Sequence, residues 1–170
     1  EKYLKAQVSA VRNSGAKGLF IPGNHDWAKG GEAGRETILR QQEMVREMLP
    51  QDSVFLPSDA CPGPMAMDLP GVRLIVMDTD FWINDKVDWS DSCEAANEQS
   101  FLQKLDELLQ NSGDQPVVIA AHHPLQSHGT HGGFYDWQDH IFPLTREIRW
   151  LWLPLPVIGS LYPLGRTHIV

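Results

Sequence analysis

The sequence predicts an α/β fold, on three observations. Short apolar runs alternate with longer stretches whose apolar residues recur at helical spacing. Gly and Pro punctuate the junctions between them. The polar clusters of chemical interest follow the apolar runs, and the ends of strands are where α/β sheets place their ligands.

Residues 2–13 form the first predicted helix. Leu4, Val8 and Val11 share one side of a helical wheel, and Asn13, Ser14 and Gly15 supply the stop. The run 18–21, Gly-Leu-Phe-Ile, reads as a buried strand closed by Pro22 and Gly23, with Asn24, His25 and Asp26 just past its end. Residues 34–48 place Ile38, Leu39, Met44, Val45 and Met48 at helical spacing before the stop at Pro50. Met65, Ala66 and Met67, then 72–77, read as two strands joined around Leu69, Pro70 and Gly71, the second ending in Asp78, Thr79 and Asp80. A third helix spans 94–109 and carries Phe101, Leu102, Leu105, Leu108 and Leu109. The apolar run 116–121 then reads as a fully buried strand that delivers His122, His123 and Pro124.

The 148–165 segment is the most apolar in the chain, but Arg149, Pro154, Pro156 and Pro163 interrupt it, so it is too broken for a spanning helix. A buried or hairpin-like segment is expected, with a lid that binds a membrane surface or a partner as the alternative. The expected organisation is a catalytic part, 1–147, continued by an apolar, Pro- and Trp-rich part of the same domain, 148–170. Trp82, Trp89, Trp137, Trp150 and Trp152 are expected to pack in the core or against loops, while Trp27 and Trp137 are also candidates for stacking on a substrate.

With 170 residues, 42% hydrophobic and 21% charged, the chain has enough apolar content for one sizeable core. A formal net charge of -8 argues against non-specific nucleic-acid binding, which needs Lys and Arg to neutralise phosphates. It leaves a small phosphorylated substrate open, because bound metal ions can supply positive charge. Two cysteines, Cys61 and Cys93, lack CxxC spacing, so a zinc-thiolate site is not expected; a disulfide and two free thiols stay open. The first residues are polar and amphipathic rather than a signal peptide, and localisation is not legible. An exported protein would suit a Cys61–Cys93 bridge.

Asn24 offers an amide oxygen to a metal, His25 an imidazole for proton transfer near neutral pH, and Asp26 a carboxylate beside it. An ordinary Asx turn is the competing account of these three residues. His122 and His123 close a strand before Pro124, which restricts the backbone so that an imidazole points over the sheet's edge, unless the histidine is merely structural. His128 and His131 lie in a Gly-rich loop, as a substrate-side loop, a plain surface loop or a local zinc site. Asp78 and Asp80 are expected in a solvated turn, with an approach to bound metals from their strand's end as the alternative.

Gly-Asn-His-Asp-Trp after one strand, Met-Asp-Thr-Asp after a later one, and the His-His-Pro segment after a third resemble, in this order, the calcineurin-like metallophosphoesterases, which include the purple acid phosphatases. The resemblance extends to about His131. It implies a sandwich of sheets flanked by helices and a dinuclear centre of Fe, Mn or Zn that hydrolyses phosphate mono- or diesters. It assigns Asn24 and His122 to the second metal, His25 to the substrate phosphate and the proton for the leaving group, and Asp26 to the orientation of His25. The family's Asp-x-His and Gly-Asp motifs have no counterpart before Asn24, and Gly165, Arg166, Thr167 and His168 stand in the wrong order for its Gly-His-x-His motif. The chain is therefore expected to be a fragment that supplies at most two ligands, binds metal weakly and hydrolyses little by itself. A non-catalytic relative that binds a partner or membrane surface is the alternative.

Overall fold

The structure, a computed structural model, describes residues 2–28, 33–49, 53–84, 87–126, 135–146 and 148–168. It is mixed α/β and forms two compact units, Glu1–His123 and Pro124–Val170.

In the first unit, helix α1 spans Lys2–Ser14, strand β1 Gly18–Phe20, helix α2 Gly34–Met48 and strand β2 Ser53–Phe55. β1 and β2 pair in parallel, Leu19 opposite Val54, with α2 as the crossover between them. β2 has no counterpart among the predicted strands, because it is too short to show a period. Val8 of α1 and Ile38 and Val45 of α2 are fully buried and share one core with Trp27, Leu49, Phe55 and Phe81.

Strands β3, Met65–Leu69, and β4, Val72–Val76, form a hairpin whose two-residue turn is Pro70-Gly71. Gly71 has φ +80, as the third position of a type II turn requires. Asp68 and Arg73 face each other across the hairpin in a bidentate pair at 2.7 and 3.0 Å, and that bonding lowers the Asp68 pKa. Strand β5, Val117–Ala120, joins β4 in parallel and completes the order β3-β4-β5. Among the described residues β5 is an edge strand, and Val118 and Ile119 are exposed, so the expected full burial of this run does not hold. Composition alone does not distinguish a strand covered on both faces from an apolar strand at an edge.

Helix α3 is one turn, Asp80–Ile83, and α4 spans Glu98–Gln110. α4 begins four residues later than predicted because Asn97 caps it: its side chain accepts from the Ser100 N–H at 2.9 Å, and Ser100 returns the bond to the Asn97 N–H. Trp82 and Trp89 meet Phe101 edge-on, as expected of packing aromatics. Cys61 and Cys93 are joined in a disulfide that ties the loop before β3 to the loop before α4.

In the second unit, helix α5 spans Trp137–Ile141, capped by Asp136, and α6 spans Leu161–His168, with 3-10 turns at Pro143–Arg146 and Ile158–Ser160. The 148–165 segment is neither buried nor a hairpin: Trp150 is 79% and Val157 85% exposed, and the segment ends in a helix. Its prolines break the ladder a hairpin would need. Trp137 and Trp152 are largely exposed, so neither packs in a core, although Trp152 meets Phe142 edge-on at 5.3 Å. Among the described residues, no helix is long and apolar enough to cross a membrane.

Candidate functional site

The turn after β1 and the turn after β5 meet at Gly23. A Cβ built on Gly23 would lie 2.6–2.7 Å from three ring atoms of His122, so the imidazole rests against a backbone that only glycine leaves bare. The structure thereby brings together the two segments that the sequence singled out separately. Asn24, His25 and His122 are exposed at this junction, while Gly23 and Trp27 are buried.

The Gly23–Trp27 turn is held from beneath. Asp26 Oδ2 accepts from the Gly23 N–H at 3.0 Å, and the Asp26 N–H donates to the Gly23 carbonyl at 2.8 Å. Asp26 Oδ1 accepts from Gln41 of α2, also at 3.0 Å. Neither carboxylate bond goes to His25, so Asp26 braces the backbone that carries His25 rather than the imidazole itself. Gly34, the first residue of α2, packs so closely on the Trp27 carbonyl that a Cβ there would fall 2.6 Å from its oxygen.

Asp78 and Asp80, expected in a solvated turn, are 0% and 1% exposed. The turn that follows β4 is covered because Trp27 lies over it: the indole Nε1–H donates to Asp78 Oδ2 at 2.6 Å, and the Asp80 N–H donates to Oδ1 at 3.0 Å. Burial pushes the Asp78 carboxyl up to about 6, with the negative charges of Asp80 and Asp26 adding to the rise and the two hydrogen bonds opposing it. Asp80 accepts from the Asn84 amide at 3.4 Å through Oδ2, while its buried Oδ1 has no hydrogen-bond partner among the described residues.

Thr79 links this turn to the β5 end. Its hydroxyl hydrogen-bonds His123 Nδ1 at 2.8 Å and accepts from the His123 N–H at 3.3 Å. The His123 pKa is lowered by burial and by His122, whose ring lies edge-on at 4.8 Å, and is partly restored by Asp80.

Asn24, His25, Asp26 and His122 thus fall in one neighbourhood, whereas His128 and His131 lie outside the described residues. Sequence reasoning missed Gln41 and Thr79 as parts of the site and favoured a solvated turn for Asp78. Gln41 had a signal: it is a polar residue on the buried stripe of α2, between Ile38 and Val45. Asp78 had the weaker signal of its place at a strand end.

A metal centre needs several converging donors, and among the described residues no three His, Cys, Asp or Glu side chains form a group that could hold an ion. Asn24 and His122 suit a divalent ion in kind but are too few to enclose it. Comparison with protein-family models, with curated proteins and with solved structures finds no match for this chain.

Proposed function

We propose that this chain carries part of the active site of a calcineurin-like, metal-dependent hydrolase of phosphate mono- or diesters. The observation that supports the proposal is the seat of the His122 imidazole against Gly23, next in sequence to the exposed Asn24 and His25. In this reading Asn24 and His122 contribute two neutral donors to one of two metal ions, of Fe, Mn or Zn type. The motifs that supply the family's remaining ligands have no counterpart in this sequence, so in this reading the chain by itself binds metal weakly.

His25 follows Asn24 on a turn braced by Asp26 and Gln41, and in this reading its exposed imidazole reaches a bound phosphate ester and protonates its leaving oxygen. A small phosphorylated substrate fits an acidic chain, since its charge is met by the metal and not by a basic surface. The test is metal content and p-nitrophenyl phosphate turnover of the natural full-length polypeptide, beside His25→Ala and Asn24→Ala. Metal-dependent turnover that falls by orders of magnitude in both variants supports these roles. A wild-type protein without bound metal or turnover overturns them.

One observation favours a second reading, a non-catalytic relative that binds a partner or a membrane surface: Trp150, Trp152, Val157 and Leu161 are all exposed in the second unit. That reading expects binding without turnover, and the same assay separates the two.

A further inference from the structure

We infer that Asp78 is a positioning residue for His25, acting through the Trp27 indole on the turn that carries both Asn24 and His25. The inference rests on the phosphoesterase reading and extends it to a residue that touches neither substrate nor metal.

Two arms hold the Gly23–Trp27 turn. The first, Gln41 to Asp26, comes from the buried stripe of α2. The second comes from the three-stranded sheet: Trp27 Nε1–H to Asp78 Oδ2 at 2.6 Å, at the end of β4. Asp78 is in turn fixed by its own backbone, since its N–H donates to the Pro62 carbonyl at 2.9 Å and its Oδ1 holds the Asp80 N–H. Trp27 also meets Phe81 edge-on at 5.3 Å, so the indole has little freedom once its N–H is engaged.

Geometry gives this bond its consequence. β1 pairs with β2, whereas His122 follows β5, which belongs to the other sheet. The Trp27–Asp78 bond therefore spans from the turn of one sheet to the strand next to β5 in the other. Thr79, the neighbour of Asp78, carries the link onward through its bonds to His123, beside His122. One short segment, 78–79, thereby registers the His25 turn against the His122 turn. A carboxylate accepts from the indole and the Asp80 amide at once, whereas an Asn side chain has one accepting oxygen and must release one of the two.

The test uses the natural full-length polypeptide, metal-loaded, with p-nitrophenyl phosphate as substrate. Asp78→Asn and Trp27→Phe are compared with wild type, and each is repeated in a His25→Ala background, with folding checked by thermal melting. Trp27→Phe removes the same bond from the other side and keeps an aromatic ring in the core, so it carries the test if Asp78→Asn does not fold. Each folded variant is expected to lose about tenfold or more in kcat with KM within about twofold, because small misplacements of a catalytic group are costly in rate. In the His25→Ala background the same substitutions are expected to change the residual kcat by less than about twofold, since groups that act as a unit are not additive. A folded variant with wild-type kcat overturns the inference, as does an equal loss in the His25→Ala background. Absence of turnover in the wild type instead overturns the phosphoesterase reading, and the inference with it.

Discussion

Replacing Asp78 with Asn should change the pH dependence of stability more than stability at any one pH. Asp78 is fully buried, and its carboxyl is pushed from 3.8 up to about 6. Between those values the folded chain keeps a proton that the unfolded chain has released, so stability falls as pH rises. The stabilising contribution is fully present below 3.8 and is lost once pH passes about 6. The difference between the two values corresponds to roughly 3 kcal/mol. Asn does not ionise, and the other carboxylates titrate in both proteins and cancel to first order. The stability of the wild type relative to Asp78→Asn should therefore drop by roughly 3 kcal/mol between about pH 3.5 and pH 7. Denaturant titrations across that window, with the disulfide intact, measure the difference directly. A flat difference would refute the reasoning, because it would mean that the carboxylate is solvated. A difference rising with pH would mean that a cation pairs with it.

Three further outcomes follow from the same geometry. Gly23→Ala puts a methyl group where the His122 ring rests, so metal-dependent turnover should fall at least about tenfold, while the melting temperature stays within a few degrees because the exposed ring can swing aside. Gly34→Ala meets the Trp27 carbonyl instead, which cannot move so freely, and should lower stability by about 1–3 kcal/mol in a denaturant titration. Reducing the Cys61–Cys93 bridge, which closes a separation of 32 residues, should destabilise the chain by roughly 3–4 kcal/mol on the chain-entropy account, read as a fall in the denaturation midpoint with dithiothreitol.

Local pattern was enough for the elements with a clear period. α1 and α2 carry apolar residues on one stripe and end at breakers, and the Pro70-Gly71 turn dictates the hairpin of β3 and β4. The chemistry-bearing clusters were also legible, because Asn24 and His25 follow an apolar run closed by Pro22 and Gly23, and His122 directly follows the apolar run 116–121. The α4 start was readable in principle, since Asn97 and Ser100 satisfy each other's backbone N–H groups, but the preceding apolar and acidic residues drew the boundary forward.

Tertiary structure decided what a cluster is next to and what covers it. An Asp-Thr-Asp triplet has the composition of a solvated turn, and only the indole of Trp27, from a distant part of the chain, makes Asp78 a buried carboxylate. Exposure of Val118 and Ile119 likewise depends on which strand lies beyond β5, a fact that no property of the run itself encodes. The sequence by itself determined which residues can do chemistry and where the chain turns, because side-chain type and periodicity are local. The seat of His122 on Gly23 and the bracing of Asp26 by Gln41 were decided only by folding, because they join residues that are far apart in sequence and depend on distances of closest approach.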